Sequence, residues 1–271
     1  MEHRVREDPV RRLRPPIPGE HGALLMSGAA LLTPPVVALG IDRPDAMAAV
    51  SYALLVGIAC TALLFREALQ RRRRASGSTH SWLTRVAAVE ALVLVALAVT
   101  LAWIVGPMWA AAIGLLPLVL VDLYMRRRGT SIPLAGELAG VAAISVAVPA
   151  GAILLEVGGL TEAAVLWVLF LAFHVASVIR VQMTLAVNAR GSARTSLAAG
   201  LLFHLALLAT VTVAWYVGGA GVGAPLVFLA GTLRAGWSAR PIDSQLSLKS
   251  LGRAEGVLST LFVLVSPLLL A

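Results

Sequence analysis

The sequence predicts an all-α fold, a polytopic bundle of about nine transmembrane helices with its N-terminus in the cytoplasm. Three observations predict it. The 271 residues are 59% hydrophobic and only 13% charged, with a mean hydropathy of +0.87, whereas soluble domains carry roughly a quarter charged residues. Apolar runs of membrane-crossing length recur along the chain, separated by Pro-, Gly- or Arg-rich breaks. The basic residues fall almost entirely on alternate breaks, as the positive-inside bias of membrane insertion requires.

Residues 1–21 form a polar, basic, Pro-rich cytoplasmic tail (Arg11, Arg12, Arg14, Pro15, Pro16, Pro18), and residues 22–271 form the transmembrane domain. The first span is expected from Gly22 to Leu39, bent or ended by Pro34 and Pro35, because proline removes a helix amide and crowds the preceding turn. After the loop at Asp42–Asp45, the second span runs from Ala46 to Phe65, followed by the basic loop Arg71–Arg74. The third runs from Val86 to Val105 and turns at Gly106-Pro107, and the fourth runs from Met108 to Met125, closed by Arg126–Arg128. Pro133 to Leu155 makes the fifth, Glu156–Glu162 an acidic loop, and Ala163 to Met183 the sixth. Leu197 to Leu233 holds 37 residues without a formal charge. As one helix it would measure about 55 Å against a hydrocarbon core of about 30 Å. It must therefore turn, at Gly218–Gly223, giving spans seven and eight. The ninth runs from Ala254 to the end of the sequence.

With the N-terminus inside, 21 of the 22 Lys and Arg residues lie on cytoplasmic segments and only Arg43 lies outside. Removing a span would put basic loops outside, so the same count supports both the orientation and the number of spans. The net charge of +8 and pI near 11.1 are read as orientation signals and contacts to anionic lipid, with no nucleic acid as partner. The single cysteine, Cys60, excludes a disulfide framework and a Cys-based metal site. His and carboxylate residues lack tight ligand spacing, so no metal site is expected, and no cofactor is specified. A Gly-x-Ser-x-Gly nucleophile and a phosphate-cradling Gly loop are also missing from the sequence.

Ionisable groups inside membrane segments are costly and usually face protein or a wet cavity. Here they are Glu20, His21, Glu90, Asp122, Glu137, His174, His204 and Glu255, nearly all in the cytoplasmic half of their spans. The pattern predicts a polar cavity open to the cytoplasm, binding a small anionic or isoprenoid ligand or a membrane lipid. Glu90, Asp122, Glu137 and His174 would do proton or orienting work. Glu20, His21, Arg66, Arg126, Arg180, Arg234 and Glu255 would hold the ligand. His174, Ser177, Arg180 and Thr184 share one helical face, a polar stripe expected to face protein. Glu67/Arg71 and Asp122/Arg126 stand at i, i+4 and should pair along their own helices. A proton-coupled transporter and a non-catalytic assembly factor are the other function classes the pattern allows.

Pro18-Gly19-Glu20-His21-Gly22-Ala23-Leu24 resembles the opening of the YwiC-like family of bacterial membrane proteins, with Gly19 in place of a basic residue and Leu24 in a Trp slot. Asp122-Leu123-Tyr124 before the triple Arg, Glu137, the end of span six through Arg180, Arg234 and Glu255 look similar in order. The resemblance implies a bacterial inner-membrane location. The span count also looks similar to the UbiA prenyltransferase architecture, which implies a transferase acting on a prenyl diphosphate with Mg²⁺ held by Asp-rich motifs. Here the end of span two, Arg66-Glu67-Ala68-Leu69-Gln70-Arg71, has one acid, and none stands between Phe173 and Arg190. A phosphate-bearing ligand is therefore expected to bind through arginine rather than through Mg²⁺.

Overall fold

The computed structural model describes residues 21–41, 44–106, 138, 140–142, 144–190, 194–238 and 248–270. Every element among them is helical: α1 (His21–Ile41), α2 (Ala46–Arg74), α3 (Gly77–Val105), α4 (Ala147–Leu154), α5 (Leu160–Arg190), α6 (Arg194–Tyr216), α7 (Gly223–Ser238) and α8 (Leu248–Val265), with a closing 3₁₀ turn, Ser266–Leu269. Four stretches are long and apolar enough to cross a bilayer: Ala46–Leu69, Gly77–Val105, Leu160–Met183 and Leu197–Tyr216. The protein is thus an all-α membrane protein. These stretches correspond to the second, third, sixth and seventh spans expected from the sequence. The fourth span, Met108 to Met125, and the acid Asp122 within it lie outside the described residues.

Several helices outrun their apolar windows. α2 continues through Arg71–Arg74 and α3 already starts at Gly77, leaving only Ala75 and Ser76 between them, where the sequence had suggested a loop reaching to residue 85. α5 likewise extends to Arg190 and α8 begins six residues early, at Leu248. Hydropathy marks only the lipid-length part of a helix, whereas Arg, Glu and Gln are good helix formers in water. Glu67 and Arg71 pair at 2.7 Å as their i, i+4 spacing predicts.

The described residues fall into two compact units, residues 53–106 and residues 21–52 with 138–270. In the first, the first half of α2 beyond Tyr52 packs on α3 around Ile58 and Leu101, with Leu54, Leu94, Leu97 and Val105 against them. Another face of α3 is outward and apolar: Val89, Leu92, Val95, Val99 and Trp103 are exposed. A row of large apolar side chains along one helix face is what a bilayer covers.

In the second unit α1 runs through Pro34 and Pro35 to Ile41, so of the two outcomes expected there, a bend or an end, the helix does not end at them. Pro35 has no amide to give the carbonyl of Leu31, four residues back. The hydroxyl of Tyr52, on α2, donates to that carbonyl instead. The Tyr52 and Pro34 rings fit because α4 offers Gly151 opposite them. α6 and α7 are joined by the predicted Gly-rich turn, where Gly218 takes a φ of +78° that residues with a side chain rarely adopt. The amide of Gly221 then donates to the carbonyl of Leu269, 2.7 Å away, tying this turn to the 3₁₀ segment.

Candidate functional site

Helix α5 opens after a tight acidic loop, where the Glu162 carboxylate accepts the Gly159 amide at 2.8 Å. Acids near a helix start satisfy amides that lack a partner and complement the helix dipole. Three turns further along, the polar stripe foreseen in the sequence takes shape. His174, Ser177 and Arg180 follow at three-residue intervals, and His174 and Arg180 are 3% and 1% exposed. A guanidinium so completely buried needs a counter-charge.

Glu255 of α8 supplies it. Arg180 Nε donates to Glu255 Oε1 at 3.0 Å, and its Nη2 donates to Glu255 Oε2. The pair is therefore forked, two parallel N–H donors on the two oxygens of one carboxylate. The Ser177 hydroxyl donates to the same Oε2. Arg180 Nη1 donates to the carbonyl of Gly231 on α7, at 3.3 Å. Three helices, α5, α7 and α8, thus meet on one guanidinium. A Cβ at Gly231 would lie 3.6 Å from that group, an ordinary contact.

One turn before Ser177, His174 sits among aromatic rings. Phe170 stacks on it with centroids 4.0 Å apart, and Phe173 meets it edge-on at 5.2 Å. Phe262 of α8 closes the group, 5.6 Å from Phe170 and 4.9 Å from Phe173. The Nδ1 of His174 lies 3.0 Å from the Phe170 carbonyl. A carbonyl only accepts, so Nδ1 carries a proton, and in the neutral ring Nε2 then keeps a bare lone pair. That Nε2 is buried and has no hydrogen-bond partner among the described residues. His204 of α6 repeats the arrangement, its Nδ1 donating to the Gly200 carbonyl at 2.8 Å. The Thr232 hydroxyl of α7 bonds the carbonyls of Phe228 and His204 at 2.8 and 3.4 Å, fastening α7 to α6 beside the site.

Of the residues singled out in the sequence, the structure brings together His174, Arg180 and Glu255. Arg234 stands on α7 three residues beyond Gly231, half-buried. Glu90 is half-buried on α3 in the other compact unit, with Oε2 shielded and without a hydrogen-bond partner among the described residues. His21 and Arg66 lie on α1 and α2, their side chains outside the described residues, and so is that of Thr184 on α5. Glu20, Asp122, Arg126 and Glu137 lie outside the described residues altogether. The cluster also contains groups that sequence reasoning passed over. Phe170, Phe173 and Phe262 read as span filler, and the Gly231 carbonyl has no side chain to draw notice. Only the four-residue spacing of Phe170 and His174 hinted at a shared face. Among the described residues no group of three or more His, Cys, Asp and Glu side chains is placed to hold a metal ion.

The model of the YwiC-like protein family matches residues 17–152. No curated protein and no solved structure matches the chain. The matched stretch takes in α1, α2 and α3 and all but the last two residues of α4, and it ends before the Arg180–Glu255 cluster begins. It spans half of the 271 residues. The chain belongs to the YwiC-like family of proteins.

Proposed function

We propose that this protein is a multi-pass component of the bacterial cytoplasmic membrane that binds an anionic, amphiphilic small molecule, a lipid or an isoprenoid, at a cytoplasm-facing polar site centred on Arg180. The observation that carries this reading is the forked carboxylate on a guanidinium that is 1% exposed. The two parallel donors match the oxygen pair of a carboxylate or phosphate. The buried rings of Phe170, Phe173 and Phe262, further along the same two helices, would be the apolar neighbours of a tail. Arg66, Arg126 and Arg234 would add positive potential at the same membrane face, and Glu90, Asp122 and Glu137 would orient or protonate the ligand. A proton-coupled transporter is the second reading, favoured by the bare imidazole nitrogen of His174 one turn along α5 from the Ser177–Glu255 bond.

The topology belongs to the same proposal. Nine spans with the N-terminal tail inside leave 21 of 22 basic residues in the cytoplasm. The helix ends support it: Arg71–Arg74 lie at the α2–α3 connection and Arg190 and Arg194 flank the α5–α6 connection, while the α6–α7 turn carries no charge. Reporter fusions after Arg74, Arg128, Arg194 and Lys249 should all signal cytoplasm. One periplasmic signal among the four defeats the nine-span arrangement.

Ligand binding is tested on the full chain in phosphatidylcholine nanodiscs, with decyl phosphate and with inorganic phosphate, in EDTA and in Mg²⁺. Decyl phosphate should bind equally in both, and more tightly than the tailless anion. Affinity should fall by about tenfold or more, roughly 1.4 kcal/mol or greater, in the neutral pair Arg180→Gln/Glu255→Gln, which leaves no buried lone charge. Binding that requires Mg²⁺ would instead favour UbiA-like transferase chemistry. Binding indifferent to the double substitution removes Arg180 from the site.

A further inference from the structure

An anion cannot simply be added to this cluster. Arg180 and Glu255 together are neutral, and Arg180 is 1% exposed. A second anion beside Glu255 would leave a net negative charge buried among phenylalanines, at a cost of several kcal/mol. Glu255 must leave Arg180 or lose its charge before a ligand can be held there. The helix facing it offers a place to go. Phe262 meets Phe170 and Phe173, while Glu255, seven residues earlier, meets Ser177 and Arg180. Helix α8 therefore runs antiparallel along the α5 stripe, and His174 lies between the two sets of contacts. His174 precedes Ser177 by three residues, less than one helical turn of about 5.4 Å, a distance a glutamate covers by changing rotamers. At that point waits an acceptor without a donor, the buried Nε2 of His174. A carboxylate has no proton to give it; a carboxylic acid does.

We infer that Glu255 is a displaceable internal anion: an incoming monoanion takes its place on Arg180, and Glu255 takes up one proton and donates it as an O–H hydrogen bond to His174 Nε2. This rests on the anion-site reading above and adds its regulation. One anion and one proton enter together, so the buried charge is unchanged. Ser177 keeps an acceptor in either state, on Glu255 or on the ligand. On the helices that carry or face Glu255, the described ionisable residues nearest the cluster in sequence are His204 of α6, which interacts electrostatically with Glu255, Arg234 of α7 and Arg253 of α8, with the buried Ser259 one turn further along α8. α1, which packs on α8, contributes no ionisable side chain between Met26 and Gly40. His204 is thus the one rival proton acceptor among the described neighbours, and the test includes it.

The test uses decyl sulfate at sub-micellar concentration on the full chain in phosphatidylcholine nanodiscs, because a sulfate ester keeps one charge at all working pH values and any proton taken up belongs to the protein. Calorimetry in two buffers of different ionisation enthalpy should give about one proton per ligand, and affinity should fall about tenfold for each pH unit upward. Infrared difference spectra of the wild-type chain should show a carboxylic-acid band appearing as ligand binds. Glu255→Gln should bind without proton uptake and without pH dependence. His174→Phe should weaken binding about tenfold, and His174→Gln, which keeps an acceptor, should recover part of it. His204→Gln should leave the stoichiometry at one. Arg180-dependent binding with no proton uptake and no acid band overturns the exchange and leaves the anion site standing. Uptake that survives Glu255→Gln or vanishes in His204→Gln also overturns it. Absence of any binding that depends on Arg180 defeats both readings.

Discussion

Replacing Arg180 with Met, or Glu255 with Leu, should each destabilise the protein by about 3–5 kcal/mol, while the two changes together should cost far less than their sum. The reason is what each single change leaves behind. Arg180→Met strands a carboxylate, and Glu255→Leu strands a guanidinium, in a seam lined by Phe170, Phe173 and Phe262. Neither ion has water to replace its partner, since the side chains are 1% and 14% exposed. The difference sets an order: Glu255→Leu, which abandons the more deeply buried ion, should be the more damaging. Met and Leu in the double variant fill similar volume without charge, and such replacements of buried pairs are often neutral. Unfolding of the four proteins in one detergent by a graded denaturant yields the coupling energy, expected to exceed about 2 kcal/mol. Additive effects would mean that the pair is solvated and that no site of the proposed kind exists. The double variant also separates architecture from function. If the pair only pins α5 to α8, it should fold and work; if Arg180 holds a ligand, it should fold and bind nothing.

The helices were legible because their signal is local. An apolar window and its flanking charges sit within one stretch of sequence, and four long helices appear where those windows fall. The polar stripe on α5 was legible for the same reason, since His174, Ser177 and Arg180 share one helical period. Its partner was not. Glu255 stands 75 residues beyond Arg180, and nothing in either segment says that one will neutralise the other. The sequence did place both among the ligand-binding residues, but as separate contributors to a cavity rather than as each other's counter-ion. Pro34-Pro35 left two outcomes open, a bend or an end of the helix. Two prolines are a strong local stop, and it takes a hydroxyl from Tyr52, donated from the following helix to Leu31, to carry α1 past them. Long-range satisfaction of a backbone group leaves no trace in a hydropathy pattern.

The same Pro34–Tyr52 contact makes Gly151→Ala the second large effect. A Cβ at residue 151 would lie 2.7 Å from Tyr52 Cε2 and 2.8 Å from Pro34 Cγ. Neither atom belongs to a flexible chain end. The tyrosine ring is held by its hydroxyl on Leu31, and the proline ring is part of the α1 backbone. The added methyl must push α4 away from α1 or pull Tyr52 off the carbonyl that Pro35 leaves without an amide. Overpacking alone costs about 1–3 kcal/mol, and a buried carbonyl stripped of its donor adds about 1–3 kcal/mol. Gly28→Ala is the control, because a Cβ there meets nothing within 4 Å in the same helix α1, and alanine is the better helix former by about 0.5–1 kcal/mol. The two glycine-to-alanine changes should therefore shift the unfolding midpoint in opposite directions. Tyr52→Phe, which removes the donor and no volume, should reproduce only the hydrogen-bond part of the loss. Should Gly151→Ala melt like the wild type, α1 and α4 do not approach as closely as described, and the rescue of Pro35 by Tyr52 falls with them.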